Sequence, residues 1–464
     1  MSDRPADGDE LNRAIDRAAN CSAIPGNRVR LLIDGPENYT EMLAMIESAT
    51  RRIHVENYIF RSDTIGKTFA DALALKALSG VRVRVLHDWL GSISTPRRHW
   101  RMLRDAGVEV RAFSPPRVTD PLALVSRDHR KLLTVDGAKA VTGGLCIGDE
   151  WVGDPSRHRE PWRDTGILVE GPAARAMDHA FATTWSHAGG TTPDDSVEVD
   201  AEVTPAGTTA VRVVATRPGD GRAWRVLDLL LGLATERIWV TDAYLAAPAR
   251  LYQMFQDAAS DGVDVRLLVP GGSDIPLVRN ISRTGYRRLL RSKVRIWEWS
   301  GIMLHAKTAT IDGRWIRVGS SNLNHSSLLA NWEIDLFIED AGLAEAMERQ
   351  YSGDLGGSGE IITRPRALPP MPVLGRPTSL VIEGGAVRHR AKGLRARRKQ
   401  AVVRAVALIR AARAALLATA SGVFIAFAVV LALFPRLAAY STAAIFGLLG
   451  IFFLLGSINR RRHG

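Results

Sequence analysis

Residues 128–137, DHRKLLTVDG, share their pattern with residues 304–313, LHAKTATIDG. Each stretch has a histidine, a lysine two residues later, an aspartate five residues after the lysine, and then a glycine. The residues between them are mostly apolar, as in a buried β-strand, and the closing Asp-Gly pair is typical of a tight hairpin turn. The same polar pattern in two distant places predicts an internal duplication of an α/β unit.

The segments around the two stretches repeat in the same order. Strand-like runs occur at 51–60, 80–88 and 107–115 and again at 236–245, 262–270 and 292–300. Amphipathic, helix-like stretches such as YTEMLAMIESAT and YQMFQDAASD separate these runs. The fold class predicted is therefore α/β, with a mixed β-sheet flanked by helices in each of two repeats, packed about a pseudo-twofold axis.

Shifts in composition predict where the segments of the chain begin and end. A polar, turn-rich stretch at 191–205 separates the two repeats, and Pro and Gly are frequent after residue 352. The predicted organisation is a polar N-terminal segment 1–27, repeats at 28–190 and 206–352, a Pro/Gly-rich linker 353–387, a basic amphipathic segment 388–413, and two transmembrane helices within 414–458.

The net charge of +12 is carried by the C-terminal part of the 464-residue chain. Fourteen of the 61 basic residues lie beyond residue 387, where there is no Asp or Glu, so the preceding part is close to neutral. A groove that follows a nucleic-acid backbone needs clustered basic residues in the folded body, so a nucleic-acid partner is not expected. The two cysteines, Cys21 and Cys146, are too few for a disulfide framework.

Two uncharged stretches, 414–434 and 437–458, are each long enough to cross a membrane. The first has 21 residues, about 31 Å as a helix. Two buried helices of a soluble core are the alternative, but such helices normally keep a polar face. Basic residues on both flanks predict that both flanks lie in the cytoplasm. The stretch 395–413 is either a flank that sets this topology or an amphipathic helix on anionic lipid headgroups.

The duplicated residues suit chemistry on a phosphodiester. His129 and Lys131 are two residues apart on a predicted strand and share a face, as do His305 and Lys307. If the two repeats face each other, one imidazole can attack phosphorus, the other can protonate the leaving alkoxide, and the lysines can hold the phosphate oxygens. Paired histidines also bind metals, but adjacent lysines would repel a cation, so neither a metal nor another cofactor is expected.

The aspartates of the two stretches are expected to have a different role. Asp136 and Asp312 lie at an odd spacing from their histidines and directly at the predicted turns. We therefore expect them to hold the turn or pair with a basic group. The candidate catalytic set comprises His129, Lys131, Asp136, His305, Lys307 and Asp312.

The pattern HxKxxxxD, followed at 318–335 by VGSSNLNHSSLLANWEID, resembles the phospholipase D superfamily. The resemblance implies that Ser320 and Asn322 bind phosphate oxygens and that Glu333 orients a histidine. Within that superfamily, GGLCIGDEW (143–151) and PWRDTGILVEGPA (161–173) are most similar to bacterial cardiolipin synthases. This implies that Asp164 takes the role of Glu333 in the first repeat.

The sequence departs from the pattern of the bacterial cardiolipin synthases in two ways. Cys146 replaces an expected asparagine, and the predicted membrane helices follow the repeats instead of preceding them.

The resemblance implies a ping-pong transfer of a phosphatidyl group through a phosphohistidine. Phosphatidylglycerol would be both donor and acceptor, with cardiolipin and glycerol as products. We favour His129 as the nucleophile and His305 as the general acid, although the motifs do not decide this. The alternatives are a phospholipase D-type hydrolase, a nuclease or phosphodiesterase of the superfamily, and a catalytically impaired lipid-binding protein. The implied location is the bacterial inner membrane, with the body and both termini in the cytoplasm.

The residues that choose the lipid headgroup are less clearly marked. Tyr58, Asp88 and Tyr244 lie at the C-terminal ends of predicted strands, where sites in α/β proteins gather. They are candidates for a headgroup pocket, and a role in capping or packing explains each of them equally well. The sequence leaves the oligomeric state open.

Overall fold

The computed structural model describes residues 8–362 except 117–125, 155, 157–158, 192–202 and 273–275. The predicted basic segment 388–413 and the two predicted transmembrane helices within 414–458 lie outside the described residues, as does most of the predicted linker. Among the described residues, no helix is both long enough and apolar enough to span a bilayer.

The first repeat follows a short N-terminal helix. Its elements in chain order are α1 (Gly8–Ala19), β1 (Ile24–Ile33), α2 (Asp34–Ser48), β2 (Arg52–Asn57), α3 (Thr64–Leu78), β3 (Arg82–Asp88), α4 (Arg97–Asp105), β4 (Glu109–Phe113), β5 (Lys131–Val135), β6 (Lys139–Gly143), β7 (Thr165–Glu170) and α5 (Pro172–His187). A single 3₁₀ turn, Asp149–Trp151, lies between β6 and β7.

The second repeat has the same order of elements, with one additional strand at its end. They are β8 (Thr209–Thr216), α6 (Arg222–Leu233), β9 (Arg237–Asp242), α7 (Ala249–Ser260), β10 (Asp264–Pro270), α8 (Pro276–Arg291), β11 (Arg295–Trp299), β12 (Lys307–Ile311), β13 (Trp315–Gly319), β14 (Glu333–Glu339), α9 (Ala341–Gly356) and β15 (Ser358–Glu360). A π-helical turn, Ser326–Ala330, precedes β14. The six predicted strands are confirmed as β2, β3, β4, β9, β10 and β11.

The strands form one continuous mixed sheet. Within the described residues the order is β15-β11-β10-β9-β12-β13-β14-β8-β1-β7-β6-β5-β2-β3-β4. Strands β2, β3 and β4 are parallel, as are β9, β10 and β11, and the antiparallel hairpins lie beside them. The mixed α/β class and the two repeats are confirmed. The prediction described a sheet in each repeat, and antiparallel pairing of β1 with β8 joins these two sheets edge to edge.

Packing follows the duplication. Ile53, Val55 and Phe69 belong to an apolar core of the first repeat, and Val240 and Phe255 belong to a core of the second. A third apolar cluster joins the repeats, because it combines residues of β5, β7 and α5 with residues of β13 and β14. This shared burial is what holds the two hairpins with the repeated polar residues next to each other.

Candidate active site

The two histidines line one cleft at the meeting point of the repeats. His129 lies two residues before β5, and His305 lies two residues before β12. Both border a cavity of about 660 Å³, whose other walls include Tyr58, Tyr244 and Asn322. The structure therefore brings together residues that are far apart in the sequence.

Each histidine is held by a carboxylate of the other repeat. The Nδ1 atom of His129 lies 3.0 Å from both carboxylate oxygens of Glu333. The Nδ1 atom of His305 lies 2.8 Å from Oδ2 of Asp164. A carboxylate at Nδ1 selects the tautomer with its proton on Nδ1, so the lone pair of each imidazole is on Nε2. Nε2 is thus the atom that each histidine can offer to a substrate.

The backbone makes the same reciprocal connection. The N–H of His129 donates to the carbonyl of Trp332 at 2.9 Å, and the N–H of His305 donates to the carbonyl of Arg163 at 2.7 Å. Trp332 and Arg163 directly precede Glu333 and Asp164 in the chain. Each histidine is therefore held by a backbone carbonyl and by the carboxylate of the next residue, both from the opposite repeat. Neither repeat alone contains a complete site.

Burial and positive charge keep both imidazoles neutral. Burial lowers the pKa of His305 to about 4, and the nearby charge of Lys307 adds to this effect against the opposing carboxylate of Asp164. Burial also lowers the pKa of His129, against the opposing carboxylate of Glu333, and both Lys131 and Lys307 contribute. Near neutral pH the lone pair on Nε2 is available for attack on phosphorus.

The two carboxylates remain ionised although they are buried. Burial alone would raise the pKa of Glu333, but His129, Lys131 and hydrogen bonding bring it down to about 2. Burial would likewise raise the pKa of Asp164, yet His305 and Lys307 lower it below its usual value. Each carboxylate can therefore stabilise positive charge on its imidazole when that imidazole is alkylated, phosphorylated or protonated.

The two carboxylates are supported in different ways. Ser320 is fully buried, and its hydroxyl donates to Oε2 of Glu333 at 2.5 Å. Ser320, assigned to phosphate binding by the resemblance, therefore holds a carboxylate in this structure. The corresponding residue of the first repeat is Gly144, where a Cβ atom would lie 2.1 Å from Oδ1 of Asp164. There the indole N–H of Trp151 donates to Asp164 at 2.8 Å instead.

The lysines lie beside their own histidines and beneath aromatic rings. Lys131 donates to the carbonyl of His129 at 2.5 Å, and its ammonium lies 5.2 Å from the centre of the Tyr58 ring. Lys307 lies 2.9 Å from Nδ1 of His305, and its ammonium lies 5.9 Å from the centre of the Tyr244 ring. Burial and the charge of Lys131 lower the pKa of Lys307 to about 8. Two crowded ammonium groups favour the arrival of an anion.

The three candidates for the headgroup pocket lie in different surroundings. Tyr58 and Tyr244 both line the cleft. The Tyr58 ring packs edge to face on His129, with 5.1 Å between ring centres, and the Tyr244 ring packs in the same way on His305, with 6.0 Å between ring centres. Asp88 is fully buried and is not among the residues that border the cleft. Its carboxylate accepts N–H groups of Leu90, Gly91 and Asp128, so it holds the chain behind the cleft wall.

Asp136 and Asp312 lie at the hairpin turns, away from the imidazoles. Both have a left-handed backbone, with φ of 53° and 52°. The Asp136 carboxylate accepts the N–H groups of Thr50, Arg51 and Arg52 at 2.8–2.9 Å, just where β2 begins. The Asp312 carboxylate binds the N–H groups at 235–237 in the same way. Each aspartate therefore fixes the hairpin to the neighbouring strand.

Cys146 and Asn322 occupy equivalent positions after β6 and β13, and both line the cleft. Burial raises the pKa of the Cys146 thiol, against the opposing charge of Lys131, so the group is a neutral thiol. The amide oxygen of Asn322 has no hydrogen-bond partner among the described residues. An amide N–H is a much better donor to phosphate than a thiol, so only the second repeat contributes this donor.

The Cys146→Asn variant is expected to keep its activity or to gain up to about fivefold in kcat, because a second amide would then donate to the phosphate. The measurement is steady-state lipid turnover. Cys21→Ser is the matched control, since Cys21 donates to the carbonyl of Val213 and does not line the cleft. A loss of more than about tenfold for Cys146→Asn alone would show that the thiol has a role of its own.

Arg130 and Arg163 support the site and were missed at the sequence level. Arg163 is buried, pairs with Asp354 at 2.9 Å and precedes Asp164. Arg130 lies between His129 and Lys131 and is about 1% exposed. Its guanidinium joins both repeats through Glu333 O, Ala180 O, Thr184 Oγ1, Thr216 O and Glu56 Oε1. An arginine flanked by motif residues offers no signal that its side chain turns inward.

Replacement of Arg130 by methionine is expected to lower the free energy of unfolding by about 3–5 kcal/mol, because it leaves the buried carboxylate of Glu56 without its cation. Denaturant unfolding followed by circular dichroism measures this. The control is Arg28→Met, where the ion pair with Glu170 lies at the surface and the expected loss is under about 1 kcal/mol. Equal effects of the two substitutions would contradict a structural role for Arg130.

Two matching hairpins with an HxK pair, each histidine held by a carboxylate of the other repeat, define a phospholipase D-like protein with two repeats. Within the described residues, no cluster of His, Cys, Asp and Glu is arranged to hold a metal ion.

Comparisons with known proteins narrow this class. A family model described as "Cardiolipin synthase, PLD-like domain" matches residues 42–150 and 227–355. Cardiolipin synthase A of Pseudomonas entomophila (strain L48) is 31% identical over 364 residues, which are 78% of this chain and 75% of that protein. Cardiolipin synthase of Alkalihalophilus pseudofirmus is 31% identical over 72% of this chain and 67% of that protein. The chain belongs to the cardiolipin synthase family, as its motifs indicated.

A solved structure supports the fold independently. The chain is similar to phosphatidylserine synthase of Haemophilus influenzae Rd KW20, with a TM-score of 0.58 and 14% identity. The similarity covers 76% of this chain and 92% of that one. At this identity the comparison bears on the fold alone.

Proposed function

We propose that this protein is a phosphatidyltransferase of the cardiolipin synthase type, which moves a phosphatidyl group from one phosphatidylglycerol to another. The observation that carries the proposal is the pair of crossed histidine–carboxylate contacts in one cleft, with two buried lysines beside them. These groups can provide a nucleophile, an acid and a cationic phosphate site without a metal. Membership of the cardiolipin synthase family supports the choice of reaction.

In the first half-reaction, Nε2 of His129 attacks phosphorus of the donor lipid, and the bond from phosphorus to the headgroup glycerol breaks. His305 takes up a proton on Nε2 when the anionic lipid phosphate binds beside it, with Asp164 at Nδ1 stabilising the charge, and it gives this proton to the departing alkoxide, so glycerol leaves as a neutral alcohol. The product is a phosphatidyl group on His129. Phosphorylation makes that imidazole cationic, and the carboxylate of Glu333 at Nδ1 stabilises the new charge.

In the second half-reaction, a headgroup hydroxyl of another phosphatidylglycerol attacks the same phosphorus. His305, now neutral, takes the proton of this hydroxyl, and the bond from phosphorus to Nε2 of His129 breaks. Cardiolipin is released and both histidines return to their starting forms. In both steps the amide of Asn322, which lines the cleft, and the ammonium groups of Lys131 and Lys307, which lie beside the two histidines, bind the non-bridging oxygens.

The finer arrangement of the whole chain is part of the same proposal. The reciprocal contacts of His129 and His305 support a pseudo-twofold axis that passes between the repeats. The apolar stretches within 414–458 form a membrane hairpin that tethers this body to the cytoplasmic face of a bacterial inner membrane. Such a tether keeps the cleft close to its lipid substrates.

Product analysis with purified full-length protein and phosphatidylglycerol tests the function. The expected products are cardiolipin and one glycerol per cardiolipin. Formation of phosphatidic acid as the main product would instead identify a hydrolase, with water as the acceptor. If neither lipid forms while the protein still binds phosphatidylglycerol, the proposed activity is wrong and a lipid-binding role remains.

A further inference from the structure

The loop between β3 and α4 forms part of the mouth of the cleft and exposes apolar side chains. Leu90 and Gly91 both line the cleft. Leu90 is 43% exposed and Ile93 is 61% exposed, although both are large apolar residues. Single exposed apolar residues are common on protein surfaces, but these two share one short loop at the rim of the site.

The loop is held in this shape by contacts with the catalytic region. The Asp88 carboxylate accepts the N–H groups of Leu90 and Gly91 at 2.9 and 3.0 Å. Ser92 Oγ donates to the carbonyl of Tyr58 at 3.2 Å. At Gly91 a Cβ atom would lie 2.2 Å from that same carbonyl, so no larger residue fits. The exposed side chains are therefore directed outward by an ordered loop whose anchor, Tyr58, lies over Lys131.

Helix α4 follows the loop and has one buried and one strongly basic face. Trp100 is buried, and its ring stacks on His87 with 4.0 Å between centres. The opposite face exposes Arg97, Arg98 and Arg101. In the described part of the chain none of these three side chains has a hydrogen bond or an ion pair, and residues 89–104 contain no Asp or Glu. Met102 is 36% exposed on the same helix.

We propose that the surface formed by residues 89–102, here called the rim surface, docks on the headgroup layer of an anionic phospholipid membrane. Leu90 and Ile93 enter the boundary between headgroups and acyl chains, while Arg97, Arg98 and Arg101 bind lipid phosphates. This combination of apolar tip and basic flank matches a bilayer better than it matches nucleic acid, which offers no apolar layer. Docking places the cleft mouth on the leaflet that supplies the substrate.

This inference rests on the proposed function, because it assumes that the substrate lies in a membrane. It adds a contact made by described residues, since the rim surface orients the cleft toward the lipid headgroups. Docking should therefore affect reactions with lipid in a bilayer and leave reactions with dissolved lipid unchanged.

The first test locates the rim surface relative to the bilayer. The full-length Ile93→Cys variant is labelled with a polarity-sensitive fluorophore and reconstituted into vesicles. The parent chain, with Cys21 and Cys146, is treated identically as the blank. The expected result is a blue-shifted emission in vesicles that contain phosphatidylglycerol. A label at Leu233→Cys, exposed on α6, is the positional control and is expected to show no shift. The same emission from both positions would overturn docking.

The second test separates docking from chemistry. The triple variant Arg97→Gln/Arg98→Gln/Arg101→Gln is expected to lose about tenfold in turnover of long-chain phosphatidylglycerol in vesicles. It should keep the wild-type rate on short-chain phosphatidylglycerol that is dissolved as monomers, below the critical micelle concentration of that lipid. The matched control, Arg13→Gln/Arg17→Gln/Arg349→Gln, removes the same charge from exposed sites that do not line the cleft and should change neither rate.

The possible outcomes distinguish this inference from the proposed function. Equal losses on both substrates, or no loss on vesicles, would overturn docking by the rim surface. If the wild-type protein transfers no phosphatidyl group from either substrate, the proposed function is wrong. The fluorescence shift at position 93 still reports membrane contact in that case, because it does not depend on turnover.

Discussion

Replacing either His129 or His305 with alanine is expected to reduce phosphatidyl transfer by at least about 1,000-fold. The two imidazoles are the groups in the cleft that have a neutral, accessible nitrogen held by a buried carboxylate. Removing His129 leaves no atom to carry the phosphatidyl group. Removing His305 leaves the departing alkoxide without a proton. Steady-state formation of cardiolipin measures both losses.

A substrate with a good leaving group tells the two roles apart. In phosphatidyl-p-nitrophenol the leaving group needs no proton, so loss of the general acid should matter little in the first half-reaction. The His305→Ala variant is expected to release a burst of p-nitrophenol at nearly the wild-type rate, whereas His129→Ala releases none. A burst from His129→Ala and none from His305→Ala would instead make His305 the nucleophile and His129 the general acid. A burst from both variants would contradict the covalent mechanism.

Folding must be checked separately, because both histidines are largely buried. The alanine variants are expected to be less stable than the wild type, because each leaves a buried carboxylate, Glu333 or Asp164, without its imidazole partner. A variant that is inactive and also unfolded gives no information about catalysis. In that case His129→Asn and His305→Asn, which keep a polar group facing the carboxylate, take the place of the alanine variants.

The duplication and the strands could be predicted from local sequence because the signals are local. The HxK spacing lies within one hairpin, and the alternation at 51–60 or 236–245 lies within one strand. The turn positions of Asp136 and Asp312 followed from the Asp-Gly pairs for the same reason. These features need only a few neighbouring residues to be recognised, and the structure has them as β2, β9 and the two hairpins.

The pairing across the repeats could not be predicted from spacing. His129 and Glu333 are 204 residues apart, and His305 and Asp164 are 141 residues apart. Which carboxylate meets which histidine depends on how the repeats pack, and both a crossed and an uncrossed pairing fit the sequence. The same applies to Ser320, which holds Glu333, and to Arg130, which joins both repeats from within a motif. Their partners are set by tertiary packing.

The crossed pairing predicts how the carboxylate variants should behave. Glu333→Gln and Asp164→Asn keep the shape of each side chain but remove its charge, and each is expected to reduce transfer by about 100-fold or more. Glu333 raises the pKa of His129 and Asp164 raises that of His305. Each substitution should therefore lower the pKa of the histidine in the other repeat, which can be followed by NMR titration of the imidazole.

The p-nitrophenol substrate then decides between crossed and uncrossed pairing. With crossed pairing, Asp164→Asn should resemble His305→Ala and keep its burst, and Glu333→Gln should resemble His129→Ala and lose it. With pairing inside each repeat, the two variants would exchange behaviour. Glu339→Gln, at the half-buried end of the same strand as Glu333, where it pairs with Arg314, is the control and should change the rate by less than about twofold. Because the charges removed are identical, only the position of each carboxylate relative to the two imidazoles can produce opposite results.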